Sequence, residues 1–223
     1  MKLEDFDFEL PTDLIALRPK TPRVSARLLV ATDNTIDDLI VSDLVNLLRP
    51  GDRLVLNNTK VIPARLSGTR TRTISAKNIV TAKIAINLIE RIAKDTWVAL
   101  VKPLRKLDLG EIIDLGLGLN AKITHKSNGT ATLCFNKSGQ ELDESLYAIG
   151  SMPLPPYIEK KRSADLRDVV DYQTIWAKEP GSVAAPTASL HFDKELLSKL
   201  KRLGVTITFV TLHVGAGTFL PVK

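Results

Sequence analysis

The stretch RPGDRLVLNNTK, residues 49–60, contains a turn, a strand and a polar segment in direct succession. Before it, Ser42 or Asp43 can cap a short helix, whose apolar side chains are Leu44, Val45, Leu47 and Leu48. The Pro-Gly pair ends that helix, and RLVLNN then has the apolar run of a buried strand. This order predicts one unit of an α/β sheet, with the polar residues NNTK at the strand end where such sheets bind ligands.

The end of the chain has a similar pattern. Asp193 is predicted to cap a helix over residues 194–203, in which leucines recur at helical spacing and Gly204 follows the last turn. VTITFVTLHV, residues 205–214, has the pattern of a strand, and GAGTF follows it. The two ends of the chain are therefore predicted to form one discontinuous α/β domain, residues 1–63 together with residues 151–223.

Residues 64–150, between these ends, have a different pattern. In VTAKIAINL, residues 80–88, apolar residues alternate with smaller or polar ones, which is the period of a strand. Further short strands are predicted in TWVALVKP, EIIDL, NAKITH and TATLCFN, and Asn128-Gly129 marks a hairpin because such turns need positive φ. Many short strands with little helix indicate an inserted antiparallel barrel or sandwich. EKKRSADLRDVVD, residues 159–171, is predicted to be an exposed connection.

Composition limits the class of protein. The 223 residues are 44% hydrophobic and 25% charged, as in ordinary globular proteins. Cys134 is the only cysteine, which excludes an internal disulfide and a cysteine-rich zinc site. No apolar run is long enough to span a bilayer, and the start MKLEDFDFELP lacks the apolar core of a signal peptide, so we expect a cytoplasmic protein. The net charge of +6 indicates either a polyanionic partner or a lysine-rich surface that aids solubility.

Three polar segments lie next to predicted elements: NNTK at 57–60, PTASLH at 186–191 and HVGAGT at 213–218. If the strands before two of them are parallel, these segments can meet in one cleft. A histidine side chain titrates near neutral pH, so His213 can act there as an acid or a base, or it can simply form a hydrogen bond at a strand end. Gly215 and Gly217 favour a ligand, since glycine lets backbone N–H groups approach one closely.

The other candidate residues each have a functional and a structural interpretation. His191 either packs near the start of the predicted helix or acts with that helix on a polar ligand, and Thr187 either donates its hydroxyl there or caps a turn. Lys102, Arg105 and Lys106 lie close together, which is typical of a solvated surface and less often of a phosphate-binding patch. The sequence contains no phosphate-binding glycine fingerprint and no metal-ligand spacing.

Motifs along the whole chain carry a family resemblance. They are DFDFELP, ARLLV, LLRPGDRLVLNNTKVIPARL, WVALVKPLRKLDLGE, MPLPPYI, YQTIWAKEPGSVAAPTASLHF and VTLHVGAGTFLPV. In order and extent they resemble the S-adenosylmethionine:tRNA ribosyltransferase-isomerase family of queuosine biosynthesis. The resemblance implies an α/β domain with a β-barrel insertion. It also implies transfer and isomerisation of the ribosyl group of S-adenosylmethionine onto 7-aminomethyl-7-deazaguanine in the anticodon loop of tRNA, which gives epoxyqueuosine and releases adenine and methionine.

The resemblance also suggests roles for residues. S-adenosylmethionine is a co-substrate, its sulfonium makes the C5′ protons acidic, and no metal or prosthetic group is implied. His213 or His191 is expected to carry the proton transfers, including hydrogen-bond donation to the departing adenine. The co-substrate is expected to contact Asn57, Asn58, Thr59, Thr187, Gly215, Ala216, Gly217 and Thr218. The tRNA phosphates are expected to contact Arg65, Lys102, Arg105 and Lys106, and the protein is expected to be a monomer.

The chain departs from the family pattern at three points. Asn58 stands where an acid is usual, which removes a carboxylate from the cleft. Ser189 stands where glycine is usual, and serine is strained if the backbone there needs a positive φ. The chain ends at LPVK, whereas family members continue past this motif, so a C-terminal fragment is an expected partner. The alternative function is an inactive or partial remnant that acts only as a basic RNA-binding protein.

Overall fold

The computed structural model describes residues 2–75, 78–127, 129–215 and 217. Short elements come first along the chain. They are β1 (Arg27–Ala31), β2 (Ile36–Ile40), α1 (Leu44–Leu47), β3 (Arg53–Asn57) and β4 (Thr59–Val61). The predicted short helix and the strand after the Pro-Gly turn are therefore confirmed, and Gly51 in that turn has a φ of +94°.

The middle of the chain folds into a closed antiparallel barrel. Its strands are β5 (Arg65–Ser75), β6 (Asn78–Ala93), β7 (Thr96–Lys102), β8 (Ile112–Asp114), β9 (Asn120–Ser127) and β10 (Thr130–Phe135). They follow the order β10, β7, β6, β5, β8, β9 around the barrel. Every second residue of the alternating stretch in β6, namely Ile84, Ile86 and Leu88, is buried in the barrel core. The structure thus decides between the predicted barrel and sandwich in favour of the barrel, whose closure leaves no strand edge open.

Helix α2 (Gly139–Ile149) packs against the barrel and was not predicted. Its Leu142 and Leu146, four residues apart on one helix face, belong to the barrel core. Gly150 follows the helix where a Cβ would lie 2.2 Å from the carbonyl oxygen of Pro63, so only glycine fits. Next to it, the backbones of Arg65 and Ser151 are joined by two hydrogen bonds, which ties the start and the end of the barrel segment together.

The remaining elements complete the α/β part. They are α3 (Pro156–Glu159), α4 (Asp168–Asp171), β11 (Glu179–Ser182), α5 (Lys194–Leu203) and β12 (Thr206–Val210). Helix α5 begins and ends as predicted, because Asp193 Oδ1 accepts a hydrogen bond of 2.8 Å from the Leu196 N–H and Gly204 has a φ of +94°. β12 pairs in parallel with β3, and β11 pairs in parallel with β4.

The fold class is confirmed as mixed α/β with an inserted antiparallel barrel. The parallel pairs join residues before the barrel to residues after it, as a discontinuous domain requires. The exact domain boundaries, 1–63 with 151–223 and 64–150, stay a prediction. The predicted hairpin at Asn128-Gly129 lies partly outside the described residues, since Asn128 is not among them. Gly129 has a φ of +87°.

The segment 159–171 is only partly the exposed connection that was predicted. Most of its residues are exposed or half-buried, but Asp168 is completely buried. The Asp168 carboxylate accepts hydrogen bonds of 2.8 and 2.6 Å from Arg162 and one of 2.9 Å from Arg18. The prediction was wrong at this residue because a buried ion cluster has no local sequence pattern. None of the described helices is both long enough and apolar enough to cross a membrane.

Candidate active site

The parallel pairing of β3 and β12 brings two of the predicted polar segments together. Val210 at the end of β12 lies opposite Asn57 at the end of β3. The Asn58 N–H then donates to the Val210 carbonyl oxygen at 2.9 Å, and the Asn58 carbonyl oxygen accepts from the Lys178 N–H at 2.8 Å just before β11. Asn58 therefore lies between the two parallel pairs. The residues after both strands, 57–60 and 211–215, lie side by side.

The side chain of Asn57 joins these two segments. Its Oδ1 accepts hydrogen bonds of 3.1 Å from the N–H groups of Leu212 and Thr59, and its Nδ2 donates to the Leu212 carbonyl oxygen at 2.8 Å. Asn58 Oδ1 accepts a bond of 2.7 Å from the Thr211 hydroxyl. The Asn57 side chain thus holds the backbone before His213, and the Asn58 side chain holds that of Thr211. The predicted contacts of both with a co-substrate stay predictions.

The backbone after His213 is held from the other side by Ser182. The Val214 N–H donates to Ser182 Oγ at 2.9 Å, and the Val214 carbonyl oxygen accepts from the Val183 N–H at 3.1 Å. Ser182 is completely buried at the end of β11, and its hydroxyl donates to the Ala184 carbonyl oxygen at 2.7 Å. His213 therefore lies between two residues whose backbones are both fixed.

The imidazole of His213 is oriented by Thr59 and Gly181. Thr59 Oγ1 lies 2.8 Å from His213 Nδ1, and Thr59 is completely buried. Gly181 has a φ of +146°, and a Cβ there would lie 2.9 Å from both Cε1 and Nε2 of His213 and 3.1 Å from Nδ1. Because these three distances are nearly equal, one face of the ring lies flat against Gly181. The Nε2 edge of His213 is then the edge left for a ligand.

A cavity of about 720 Å³ lies between the barrel and the ends of the parallel strands. This volume suits a small organic ligand, since ligand pockets measure roughly 300–1,000 Å³. The barrel and α2 contribute Ile89, Glu90, Arg91, Trp97, Asp143, Leu146 and Tyr147. The α/β part contributes Lys60, Ile62, Pro63, Lys178, Pro180, Gly181, His213, Val214 and Gly215.

Opposite charges alternate along the cavity wall. The Arg91 guanidinium lies 5.6 Å from the centre of the Trp97 ring and donates to Asp143 at 2.8 Å and to the Lys94 carbonyl oxygen at 2.7 Å. Arg91 is therefore already neutralised and held. Glu90, by contrast, forms no ion pair within the described part of the chain, so its carboxylate is available to a cationic ligand group.

A second cation and aromatic ring are in contact at the cavity, one from each part of its lining. The Lys60 ammonium lies 5.5 Å from the centre of the Tyr147 ring. Burial, and to a lesser degree the Asp143 charge, raise the pKa of Tyr147, so this phenol is neutral near pH 7. Lys60 thus brings a positive charge to the cavity from the segment that carries Thr59.

Thr187 and His191 do not line this cavity. Thr187 begins a short 3-10 helix, Thr187–Ser189, and His191 Nδ1 is buried without a hydrogen-bond partner among the described residues. The predicted roles of both residues stay predictions. Ser189 carries no backbone strain of the kind considered above, because Leu117 is the only residue other than glycine with a positive φ in the described ranges.

The glycine loop after His213 is described in part. Gly215 lines the cavity, and a Cβ added to Gly215 or Gly217 would meet no described atom within 4 Å. The predicted contacts at Ala216 and Thr218 lie outside the described residues. Nor does the described part of the chain hold any group of three His, Cys, Asp or Glu side chains suited to a metal ion.

The residues predicted to contact tRNA lie on the barrel and at its base. Lys102, Arg105 and Lys106 are exposed on the connection between β7 and β8. Arg65 differs, because its guanidinium pairs with Glu159 and is partly buried. The burial lowers the pKa of Arg65. Their contacts with tRNA stay predictions.

Gly181 and the barrel wall are the parts of the site that sequence reasoning missed. Gly181 lies in the quoted motif YQTIWAKEPGSVAAPTASLHF, but nothing local shows that a histidine ring lies over it. Trp97 lies in a predicted strand, and Tyr147 follows Leu142 and Leu146, which are at helical spacing. In the sequence both therefore resemble ordinary core residues. Lys60 belongs to the quoted NNTK segment, and its position just after a strand could have indicated that it lies at the site.

The fold and the cavity define a class, an α/β protein with an inserted antiparallel barrel and a histidine that lines the cavity beside this barrel. The chain belongs to the family described as queuosine biosynthesis protein, whose family model matches residues 3–223. It is 60% identical over 223 residues to an S-adenosylmethionine:tRNA ribosyltransferase-isomerase of Ruegeria pomeroyi, with 100% of this chain and 64% of the relative covered. A relative of the same name from Jannaschia sp. is 60% identical over 222 residues, with 62% of it covered.

The chain thus spans less than two thirds of the length of these relatives. A solved structure was also matched, that of an S-adenosylmethionine tRNA ribosyltransferase from Thermotoga maritima. It is 32% identical, with 95% of this chain and 58% of that chain covered and a TM-score of 0.37.

Proposed function

We propose that this protein acts in queuosine biosynthesis as an S-adenosylmethionine:tRNA ribosyltransferase-isomerase. It transfers and isomerises the ribosyl group of S-adenosylmethionine onto 7-aminomethyl-7-deazaguanine in the anticodon loop of tRNA, and epoxyqueuosine, adenine and methionine result. The observation that carries this proposal is the 60% identity over the whole chain to relatives of that name. The cavity with His213 supports it, because it offers a site for a small co-substrate beside a histidine.

The cavity suits the charges of S-adenosylmethionine. The sulfonium is a cation, and the Glu90 carboxylate, which has no ion-pair partner among the described residues, favours a cation nearby. Lys60 and Lys178, from the α/β part of the lining, favour the carboxylate of the methionine part. The apolar side chains of Ile62, Pro63 and Ile89 give the adenine ring of S-adenosylmethionine a surface to pack on.

Two proton-related steps need protein groups in this reaction. A base takes a proton from C5′, next to the sulfonium, and a hydrogen-bond donor stabilises adenine as it leaves. His213 is the histidine that lines the cavity, with its Nε2 edge toward the open side. No metal is needed for either step, and none is proposed.

The tRNA is proposed to lie across the barrel side of the cavity. Lys102, Arg105 and Lys106 are exposed at the end of β7 and in the turn after it and can contact phosphates, while Arg65 pairs with Glu159. We also propose that the protein works in the cytoplasm, where tRNA is modified, and that it is a monomer. We propose as a partner segment the part of the relatives that this chain does not cover.

The test is the release of adenine from S-adenosylmethionine in the presence of tRNA that carries 7-aminomethyl-7-deazaguanine. Release that requires this tRNA is the expected result. His213→Ala is expected to lower the rate by more than about tenfold, or about 1.4 kcal/mol of activation free energy. His125→Ala serves as the control, since His125 is exposed on β9 away from the cavity lining.

Two results would count against the proposed function. One is the loss of less than tenfold in both His213→Ala and His191→Ala. The other is a folded protein that binds tRNA but releases no adenine, even when the part of the Ruegeria pomeroyi relative that this chain does not cover is added. That second result is the behaviour expected of a basic RNA-binding remnant.

A further inference from the structure

We propose that His213 acts on its ligand as a hydrogen-bond donor through Nε2, and that Thr59 is the positioning residue that holds it in this state. Thr59 and His213 are separated by 154 residues in sequence, and their side chains meet at 2.8 Å, where Thr59 begins β4 and His213 follows the end of β12. The question is which of the two atoms carries the shared proton. The surroundings of Thr59 answer it.

Thr59 is completely buried, and within the described chain His213 Nδ1 is the one hydrogen-bond partner of its hydroxyl. If Nδ1 carried the proton, the Thr59 hydroxyl would accept that bond and its own proton would be buried without an acceptor. If Thr59 donates to Nδ1, every proton in the pair has a partner. A buried donor without a partner disfavours the first arrangement by on the order of tenfold or more. The neutral imidazole therefore carries its proton on Nε2.

The rest of the site keeps the ring in this orientation. The Gly181 Cα lies against one face of the imidazole, so the ring has no room on that side. The neighbouring backbones are bonded to Asn57 at Leu212 and to Ser182 at Val214. A flip of the ring would place Cδ2 beside the Thr59 hydroxyl and lose its hydrogen bond. The N–H of Nε2 thus points away from Thr59, on the side of the cavity.

This state of His213 selects the kind of atom that it meets. An Nε2–H needs an acceptor, such as a ring nitrogen or a carboxylate, and it takes no proton from the ligand. Under the proposed function, on which this step rests, the matching acceptor is a ring nitrogen of adenine. As the glycosidic bond breaks, its electron pair moves into the purine, and a fixed N–H donor stabilises the charge that develops there. His213 then assists the leaving group, and a different group accepts the C5′ proton.

The tautomer is tested directly by nuclear magnetic resonance on the 223-residue chain labelled with ¹⁵N-histidine. Long-range ¹H–¹⁵N correlation spectra separate protonated from unprotonated ring nitrogens, and His125→Gln and His191→Gln assign the three rings. Nδ1 of His213 is expected to be unprotonated and Nε2 protonated above neutral pH. Thr59→Ser keeps this pattern, whereas Thr59→Val moves the Nδ1 signal toward that of a nitrogen without a donor. A protonated Nδ1 in the unaltered chain would overturn the proposal, whether or not Thr59→Val folds.

Adenine release tests the role in catalysis. Thr59→Val is expected to lower kcat by about tenfold or more with less than a twofold change in KM for S-adenosylmethionine, and Thr59→Ser is expected to restore most of it. An effect on KM alone would show that Thr59 contacts the ligand and would overturn the positioning role. If the unaltered chain releases no adenine, the proposed function fails while the spectra still decide the tautomer.

Discussion

The environment of one glycine shows how closely the site is built around His213. Gly181 combines a φ of +146° with a histidine ring that lies where a side chain would begin. Two separate physical reasons therefore exclude other residues at this position. The first is the cost of a left-handed backbone for a residue with a Cβ, and the second is the space taken by the imidazole.

Gly181→Ala is expected to displace the His213 ring and to destabilise the fold by about 1–3 kcal/mol. Adenine release is expected to fall by at least about tenfold, because the Nε2 edge moves away from its ligand. The measurement is adenine release together with urea unfolding. Gly215→Ala is the matched control for stability, since its Cβ meets no described atom within 4 Å. Equal stability losses in the two variants would contradict the packing of His213 on Gly181.

A buried carboxylate is the second residue whose environment decides its role. Burial alone would raise the pKa of Asp168, but the hydrogen bonds from Arg162 and from the Asp165 N–H, with the charges of Arg162 and Arg18, outweigh it and lower the pKa. Because the pKa of Asp168 is lower in the folded than in the unfolded state, its ionised carboxylate stabilises the fold fully at pH values above the unfolded-state pKa of about 3.9. That contribution is lost as the pH falls through the folded value.

Asp168→Asn is therefore expected to destabilise the protein by about 3 kcal/mol at pH 7, because it leaves buried cations without their counter-charge. The difference from the unaltered chain should narrow as the pH falls below about 4. Urea unfolding between pH 3 and 7, roughly the span of an Asp titration, measures both effects. Asp38→Asn is the control, since Asp38 pairs with Arg27 on the surface and should change stability by less than about 0.5 kcal/mol. If the difference in unfolding free energy between Asp168→Asn and the unaltered chain stays constant down to about pH 3, the stabilising role of the ion cluster is contradicted.

At the scale of elements, helix α2 links the barrel to the cavity. One face of the helix places Leu142 and Leu146 in the barrel core, and the same turns present Asp143 and Tyr147 to the cavity. Asp143 in turn holds Arg91 beside Trp97. The packing of this helix therefore also sets the barrel side of the ligand site.

Leu142→Ala is expected to destabilise the protein by about 3 kcal/mol, because the completely buried leucine would leave a void in the barrel core. The cavity wall should loosen with it, so ligand binding should weaken as well. Urea unfolding measures the first effect and titration with S-adenosylmethionine measures the second. Gln140→Ala, at an exposed position of the same helix, should cost less than about 0.5 kcal/mol. If Leu142→Ala lowers stability but leaves ligand binding unchanged, the packing of α2 does not set the barrel side of the ligand site.

At the scale of the whole molecule, the net charge of +6 and its placement bear on tRNA binding. Lys102, Arg105 and Lys106 place three positive charges on the connection between β7 and β8. Each phosphate contact releases counterions, so the affinity for a nucleic acid depends on salt.

The triple variant Lys102→Ala, Arg105→Ala and Lys106→Ala is expected to reduce the slope of log affinity against log salt by about 2 to 3. Fluorescence anisotropy with labelled tRNA over a range of salt concentrations measures this slope. The control removes the same charge from exposed positions of α5, with Lys194→Ala, Lys201→Ala and Arg202→Ala. If the two triple variants change the slope equally, net charge alone governs binding and the barrel connection is not the tRNA surface.

The sequence by itself determined the features that depend on residues close together in the chain. Alternation in β6 and the short strands after it predicted an inserted barrel or sandwich, Asp193 and Gly204 marked both ends of α5, and polar residues after β3 and β12 indicated a site. Each of these signals comes from backbone preference or from burial of one face, and both leave a periodic pattern. The motifs, taken in order, also led to the family to which the chain belongs.

Only the tertiary structure decided which side chains meet. It placed Thr59 against His213, Gly181 beneath the same ring, the Trp97 wall opposite them, and Asp168 among arginines. It also left Thr187 and His191 outside the cavity, although their segment resembled the others in sequence. These contacts join residues far apart in the chain, through the pairing of parallel strands and the closure of the barrel. Their geometry depends on distances of a few tenths of an ångström, and no periodic pattern in a sequence records such distances.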